Sequence, residues 1–83
     1  MENPIQKRLE ELQISMRAAA RILDLSPTTV SRHCGGTRRL SADNMELYNV
    51  RLGIPMNKLR EWNKYIKGAV NEAARKQKPD NLR

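Results

Sequence analysis

The 83-residue chain has one cysteine, one histidine and no apolar run near the roughly 20 residues that a membrane-spanning helix needs. Each scarcity removes a class of function. Cys34 has no internal disulfide partner, and with His33 alone it cannot complete a four-ligand zinc site. Nor do the two make a nucleophile and base, because adjacent helical residues diverge by about 100° and no third group stands ready to orient the imidazole. Gly35-Gly36 is followed by Thr-Arg-Arg, not by the lysine and hydroxyl of a nucleotide-binding loop. The opening stretch, MENPIQKRLEELQ, lacks the apolar core of a signal peptide. Together these absences point away from an enzyme, a cofactor, a metal, a small-molecule ligand and a membrane, and toward a cytoplasmic protein.

Acidic residues are also few. Nine Asp and Glu stand against 16 Lys and Arg, for a formal charge of +7 and a pI near 10.2. Such a balance favours nucleic acid or an anionic membrane surface as partner. The excess is concentrated, since residues 15–39 hold Arg17, Arg21, Arg32, Arg38 and Arg39 against the single Asp24. A chain this short is one domain near the lower limit of a self-sufficient core, so dimerisation or DNA binding is expected to add stability.

What the chain does have is helical patterning from end to end, with four or five helices and no convincing strand. Asn3 and Pro4 start the first, and Ile5, Leu9 and Leu12 then form its apolar face to about Gln13. Ser15 caps a second helix whose stripe is Met16, Ala19, Ala20 and Leu23. After a break at Asp24-Leu25, Ser26-Pro27 supplies an N-cap hydroxyl and an N1 proline for a third helix, ending near Cys34 and Gly35-Gly36. In that helix only Val30 is large and apolar, leaving Thr28, Thr29, Ser31 and Arg32 to look outward. Packing alone explains such a helix poorly, and a short helix showing hydroxyls and a guanidinium suits the reading of DNA.

Ser41 caps a fourth helix through about Leu52, with Met45, Leu47, Tyr48 and Leu52 inward and Gly53 closing it. Ile54-Pro55 turns into a fifth, where Leu59, Trp62, Ile66, Ala69 and Ala73 recur at steps of three and four. Leu59 and Trp62 can close the core. From Ile66 onward an apolar edge reads as a subunit contact, so the expected dimer interface comprises Trp62, Ile66, Ala69, Val70 and Ala73. The resulting division is a DNA-binding domain over residues 1–66 and a basic helical extension with a mobile tail over 67–83, or the start of a linker if the chain is a fragment.

AAARILDLSPTTVSRHCGGTRRLS resembles the helix-turn-helix of the phage Cro and lambda-repressor (XRE-type) family, and LYNVRLGIPMNKLREW is similar to that family's fourth helix and the opening of its fifth. The resemblance spans roughly residues 5–66, with Ser-Pro before TTVSR its most specific part. It implies an all-α, compact four- to five-helix lambda-repressor-like domain with an extended C-terminal helix. It also implies that Ala20 lets the two motif helices approach and that Leu23, Leu25 and Val30 are buried. Asp24 departs from the glycine usual at the turn, though aspartate tolerates the left-handed conformation well. His33 departs from the aliphatic or aromatic residue usual at its position.

The same resemblance assigns roles. Base-facing positions correspond to Pro27, Thr28, Ser31 and Arg32, with Arg32 suited to guanine O6 and N7 and the Thr28 methyl to thymine. Phosphate contacts correspond to Ser15, Met16, Arg17, Thr29, Thr37, Arg38 and Arg39, in keeping with the free N–H groups of a helix start. Plainer readings stand beside these: Arg17, Arg38 and Arg39 as solvated charge, Thr28 as support for the helix start, and Arg21 as an ion-pair partner of Asp24. The implied function is a sequence-specific double-stranded DNA-binding transcription regulator. The expected form is a small phage or prophage repressor, a homodimer placing two recognition helices about 34 Å apart on a near-palindromic operator. Alternatives are the N-terminal module of a larger protein such as a transposition factor, a restriction-modification controller, an antitoxin, or a protein-interaction adaptor for an acidic partner.

Overall fold

The computed structural model describes residues 2–66. These residues are all-helical, with no strand among them: α1 (Pro4–Leu12), α2 (Met16–Leu23), α3 (Pro27–Gly35), α4 (Ala42–Leu52) and α5, helical over 56–66. None is long and apolar enough to cross a membrane.

The punctuation of the chain sets these bounds. Asn3, Ser15, Ser26 and Ser41 each take an extended conformation and accept hydrogen bonds from the first-turn N–H groups of α1 to α4. Such a cap stabilises a helix by about 1 kcal/mol over alanine. The same four helices end on left-handed residues, Gln13, Asp24, Gly36 and Gly53. Asp24, at φ 59°, takes the conformation that glycine would adopt freely. Its N–H and that of Leu25 return to the carbonyls of Arg21 and Ala20, so the turn between α2 and α3 is tied to the helix before it.

Packing joins the helices around one core. Ile5 and Leu9 of α1, Ala19, Ala20 and Leu23 of α2, Val30 and Cys34 of α3, and Tyr48 and Leu52 of α4 form a single cluster with Leu40, Ile54, Leu59, Trp62 and Ile66. Helix α2 packs on both α3 and α4, and its two buried alanines leave room for that approach. Leu25, Met45 and Leu47 lie against the cluster half-buried.

Three expectations need correction. Leu12 and Met16 are 38% and 39% exposed, because each stands at a helix end where the apolar stripe runs past the core. Trp62 and Ile66, expected in a subunit contact, are 5% and 0% exposed within the single chain. The α5 seam fills the domain's own core at these positions: the Trp62 ring lies against Gly36, and its Nε1–H donates to the His33 carbonyl at 3.0 Å. Ala69, Val70 and Ala73, with the rest of the 67–83 extension, lie outside the described residues.

His33 is the buried polar residue of this core. Its Nδ1 lies 3.0 Å from the Tyr48 hydroxyl, edge-on to that ring, while Nε2 has no partner. With the proton on Nε2, Tyr48 donates to Nδ1 and one N–H is stranded. With the proton on Nδ1, the Tyr48 hydrogen and the Nε2 lone pair are both stranded, so the first tautomer is the cheaper. Burial, and then the nearby Arg38 cation, lower the His33 pKa to about 4. Burial, and then Cys34, raise that of Tyr48.

Because the folded pKa of His33 lies below its unfolded value of 6.5, the unfolded chain binds more protons between these two pH values. The stability His33 confers is therefore complete above pH 6.5 and is lost as pH falls toward about 4, by about 3 kcal/mol for this group. Urea melts across that range will show the decline, and the His33→Phe/Tyr48→Phe pair, which removes both polar partners, will flatten it while staying within about 1 kcal/mol of wild type at pH 7. Ile66→Asp buries an unpaired charge and will cost about 3 kcal/mol or more. Its effect will be lost helical circular dichroism, not a folded monomer released from a dimer.

Candidate nucleic-acid interface

Helix α3 presents two faces of different chemistry. At about 100° per residue, Val30, His33 and Cys34 span about 100° of arc and are buried, while Pro27, Thr28, Ser31 and Arg32 span about 140° on the other side and are exposed. All the expected base-facing residues thus share one solvent-facing surface. Thr29 falls between the faces, half-buried, its hydroxyl 2.8 Å from that of Ser26. Its hydroxyl is engaged in the helix start, which qualifies the expectation of a phosphate contact there.

Basic residues flank this surface at both ends. A groove of about 380 Å³ between α2 and the start of α3 is lined by Arg17, Arg21, Asp24 and Pro27 over a floor of Ala20 and Leu25. Arg17 and Arg21 therefore border the leading end of α3. Arg21 and Asp24 share this groove but make no ion pair. At the trailing end the Arg32 carbonyl accepts the N–H groups of Thr37 and Arg38, at 3.0 and 3.3 Å, and more weakly the Thr37 hydroxyl at 3.4 Å. This wraps the segment bearing Arg38 and Arg39 back onto the last turn of α3.

Among the described residues the ion pairs are Lys7–Glu2 and Arg8–Glu11, both on the α1 side. Arg17, Arg32, Arg38 and Arg39 are exposed and reach no carboxylate among those residues. At the start of α2, Ser15 caps Ala18, and the N–H groups of Met16 and Arg17 have no partner among the described residues. They are the open donors a helix start offers to an anion. At the start of α3, Pro27 has no N–H and Thr29 donates to Ser26, so only Thr28 is left with an open one.

Side-chain bonds that spacing did not disclose hold the inner edge of this surface. Asn3, besides capping α1, donates through Nδ2 to the Cys34 carbonyl at 2.7 Å. Trp62 meets the His33 carbonyl, and Asn63 binds both the N–H and the carbonyl of Leu40. These partners lie 23 to 31 residues apart in sequence, beyond any local pattern. Burial pushes the Cys34 thiol pKa up, with the Asn3 contact opposing it, so the thiol stays protonated at neutral pH. Among the described residues no cluster of His, Cys, Asp and Glu could hold a metal ion.

No protein-family model matches the chain, and no curated protein or solved structure matches it either.

Asp24 is the one negative charge in the groove beside α3. Asp24→Asn keeps a residue tolerant of the left-handed turn while removing that charge, so stability will change by less than about 1 kcal/mol. Elution from immobilised heparin will shift to higher salt, and an unchanged elution position would show that the groove does not face the polyanion.

Proposed function

We propose that this protein is a sequence-specific double-stranded DNA-binding transcription regulator of lambda-repressor-like fold, with α2 and α3 as its helix-turn-helix and α3 as the recognition helix. The observation that carries the reading is the surface of α3. Pro27, Thr28, Ser31 and Arg32 face solvent together on a helix whose other side is locked in the core, with arginines at both ends free of carboxylate partners among the described residues. A rigid polar helix between cationic flanks meets the two demands of duplex recognition: contacts to phosphate that fix register and contacts to base edges that read sequence.

In this reading Arg32 donates in bidentate fashion to guanine, and Thr28 and Ser31 meet neighbouring base edges. Arg17, Arg38 and Arg39 clamp phosphates, helped by the open N–H groups of Met16 and Arg17. Ser15 acts by capping Ala18 and so fixing the helix start that bears those open groups, and Thr37 by turning the chain after α3. Two copies on a near-palindromic site would occlude polymerase, so the protein acts as a small repressor. Its subunit contact is made by residues other than Trp62 and Ile66, which the core consumes.

Selection of bound duplexes from a random pool tests this directly, and recovery of no preferred sequence would refute specific recognition. On the selected duplex Arg32→Ala will cost about 1–3 kcal/mol and relax preference at one base pair. Arg39→Ala will weaken selected and random duplexes alike and reduce the salt slope by about one phosphate. Equal losses on both duplexes for Arg32→Ala would remove its base-reading role.

A further inference from the structure

The last carbonyls of a helix have no partners within it, and in α3 they are met from several directions. Thr37 and Arg38 supply N–H groups to Arg32, Trp62 Nε1 donates to His33 at 3.0 Å, and Asn3 Nδ2 donates to Cys34 at 2.7 Å. The residue after Trp62 makes a second attachment. Asn63 Oδ1 accepts the Leu40 N–H at 2.8 Å while its Nδ2 donates to the Leu40 carbonyl at 3.2 Å. Leu40 is buried and ends the segment that carries Arg38 and Arg39. Consecutive residues of α5 therefore hold the end of α3 and the basic segment beyond it.

We propose that Trp62 and Asn63 are positioning residues for duplex recognition, together setting the separation and angle between the base-reading face of α3 and the Arg38–Arg39 segment. This rests on the DNA-binding reading above. Trp62 is buried and Asn63 half-buried, so both act through the backbone they hold. Helix α3, with 9 residues, is too short to keep its own conformation and placement in water. A bidentate contact tolerates little displacement, since hydrogen bonds weaken beyond about 3.2 Å. Attraction of a cation to the phosphate backbone extends over a Debye length of about 8 Å and is nearly indifferent to such a shift. Loosening the α5 attachments must therefore lower selectivity and leave general affinity for DNA in place. A purely stabilising role would instead lower both in proportion to the folded fraction.

The test compares Trp62→Phe, which keeps an aromatic ring and removes the N–H donor, and Asn63→Ala with Ile54→Val, which weakens the core without touching either attachment. Affinities for the selected and a random duplex are measured well below every melting temperature. Loss of the single Trp62 hydrogen bond, or of the two that Asn63 makes to Leu40, will lower selected-duplex affinity about fivefold or more, while random-duplex affinity stays within about twofold because the charges are unchanged. Ile54→Val will leave the ratio of the two affinities at its wild-type value. An unchanged ratio in both α5 variants, or an equal change in Ile54→Val, would overturn the proposal. In the free protein, Asn63→Ala will speed amide exchange at Leu40 relative to α2, and unchanged exchange would show that the clamp does not hold this segment. A wild-type chain that binds no duplex at low salt overturns the DNA reading itself and with it the positioning role. The exchange data, taken without DNA, tell that failure apart from failure of the clamp.

Discussion

Everything outward-facing in this protein depends on how the inner face of α3 is held, and His33 is the centre of that hold. Its imidazole faces the Tyr48 hydroxyl of α4, and its carbonyl receives the indole N–H of α5. Two other helices are therefore fastened to the same turn of a 9-residue helix. Burying a polar ring costs free energy unless it is bonded, and His33 meets only one of its two nitrogens. The stranded Nε2 is the cost of a polar junction at a point where an aliphatic side chain would pack without one. In return the junction has direction: a hydrogen bond fixes an angle that apolar contact leaves loose.

That directional hold fits what the exposed face lacks. Thr28, Ser31 and Arg32 contribute nothing to the core, so the helix carrying them draws its stability from Val30, Cys34, the Ser26 cap and side chains that arrive from α1 and α5. The two ion pairs among the described residues involve Lys7 and Arg8 of α1, and the arginines around α3 face solvent without carboxylate partners there, as do Arg51, Lys58, Arg60 and Lys64 on α4 and α5. Unpaired cations near one another repel, a modest cost at a solvated surface.

Much of the architecture was legible along the chain. Asn3, Ser15, Ser26 and Ser41 marked helix starts because a short side-chain oxygen there accepts a first-turn N–H that has no other partner, and each does so. Asp24 and Gly53 marked ends through their tolerance of the left-handed conformation. The outward set on α3 was legible too, since Val30 alone set the phase and the polar residues followed from it. His33, three positions after Val30, falls on the same inward face, but the partner that makes its burial tolerable did not follow from that pattern. Its burial is compensated by Tyr48, a residue 15 positions away that no local spacing connects to it.

Periodicity also has a limit that Trp62 and Ile66 expose. A repeat at steps of three and four says that one face of α5 is apolar, but the same face serves equally to close a core or to meet a second subunit. The sequence by itself determined the helices, their caps, the basic segment and which side of α3 looks outward, because each rests on interactions within about one turn of the chain. Only the tertiary structure decided that α5 is consumed by its own core, that Leu12 and Met16 fall outside it, and that Asn3, Trp62 and Asn63 fasten the end of α3 and the segment after it. Those outcomes depend on which helix ends arrive beside one another, and contacts between residues 23 to 31 apart are made by packing, not by local pattern.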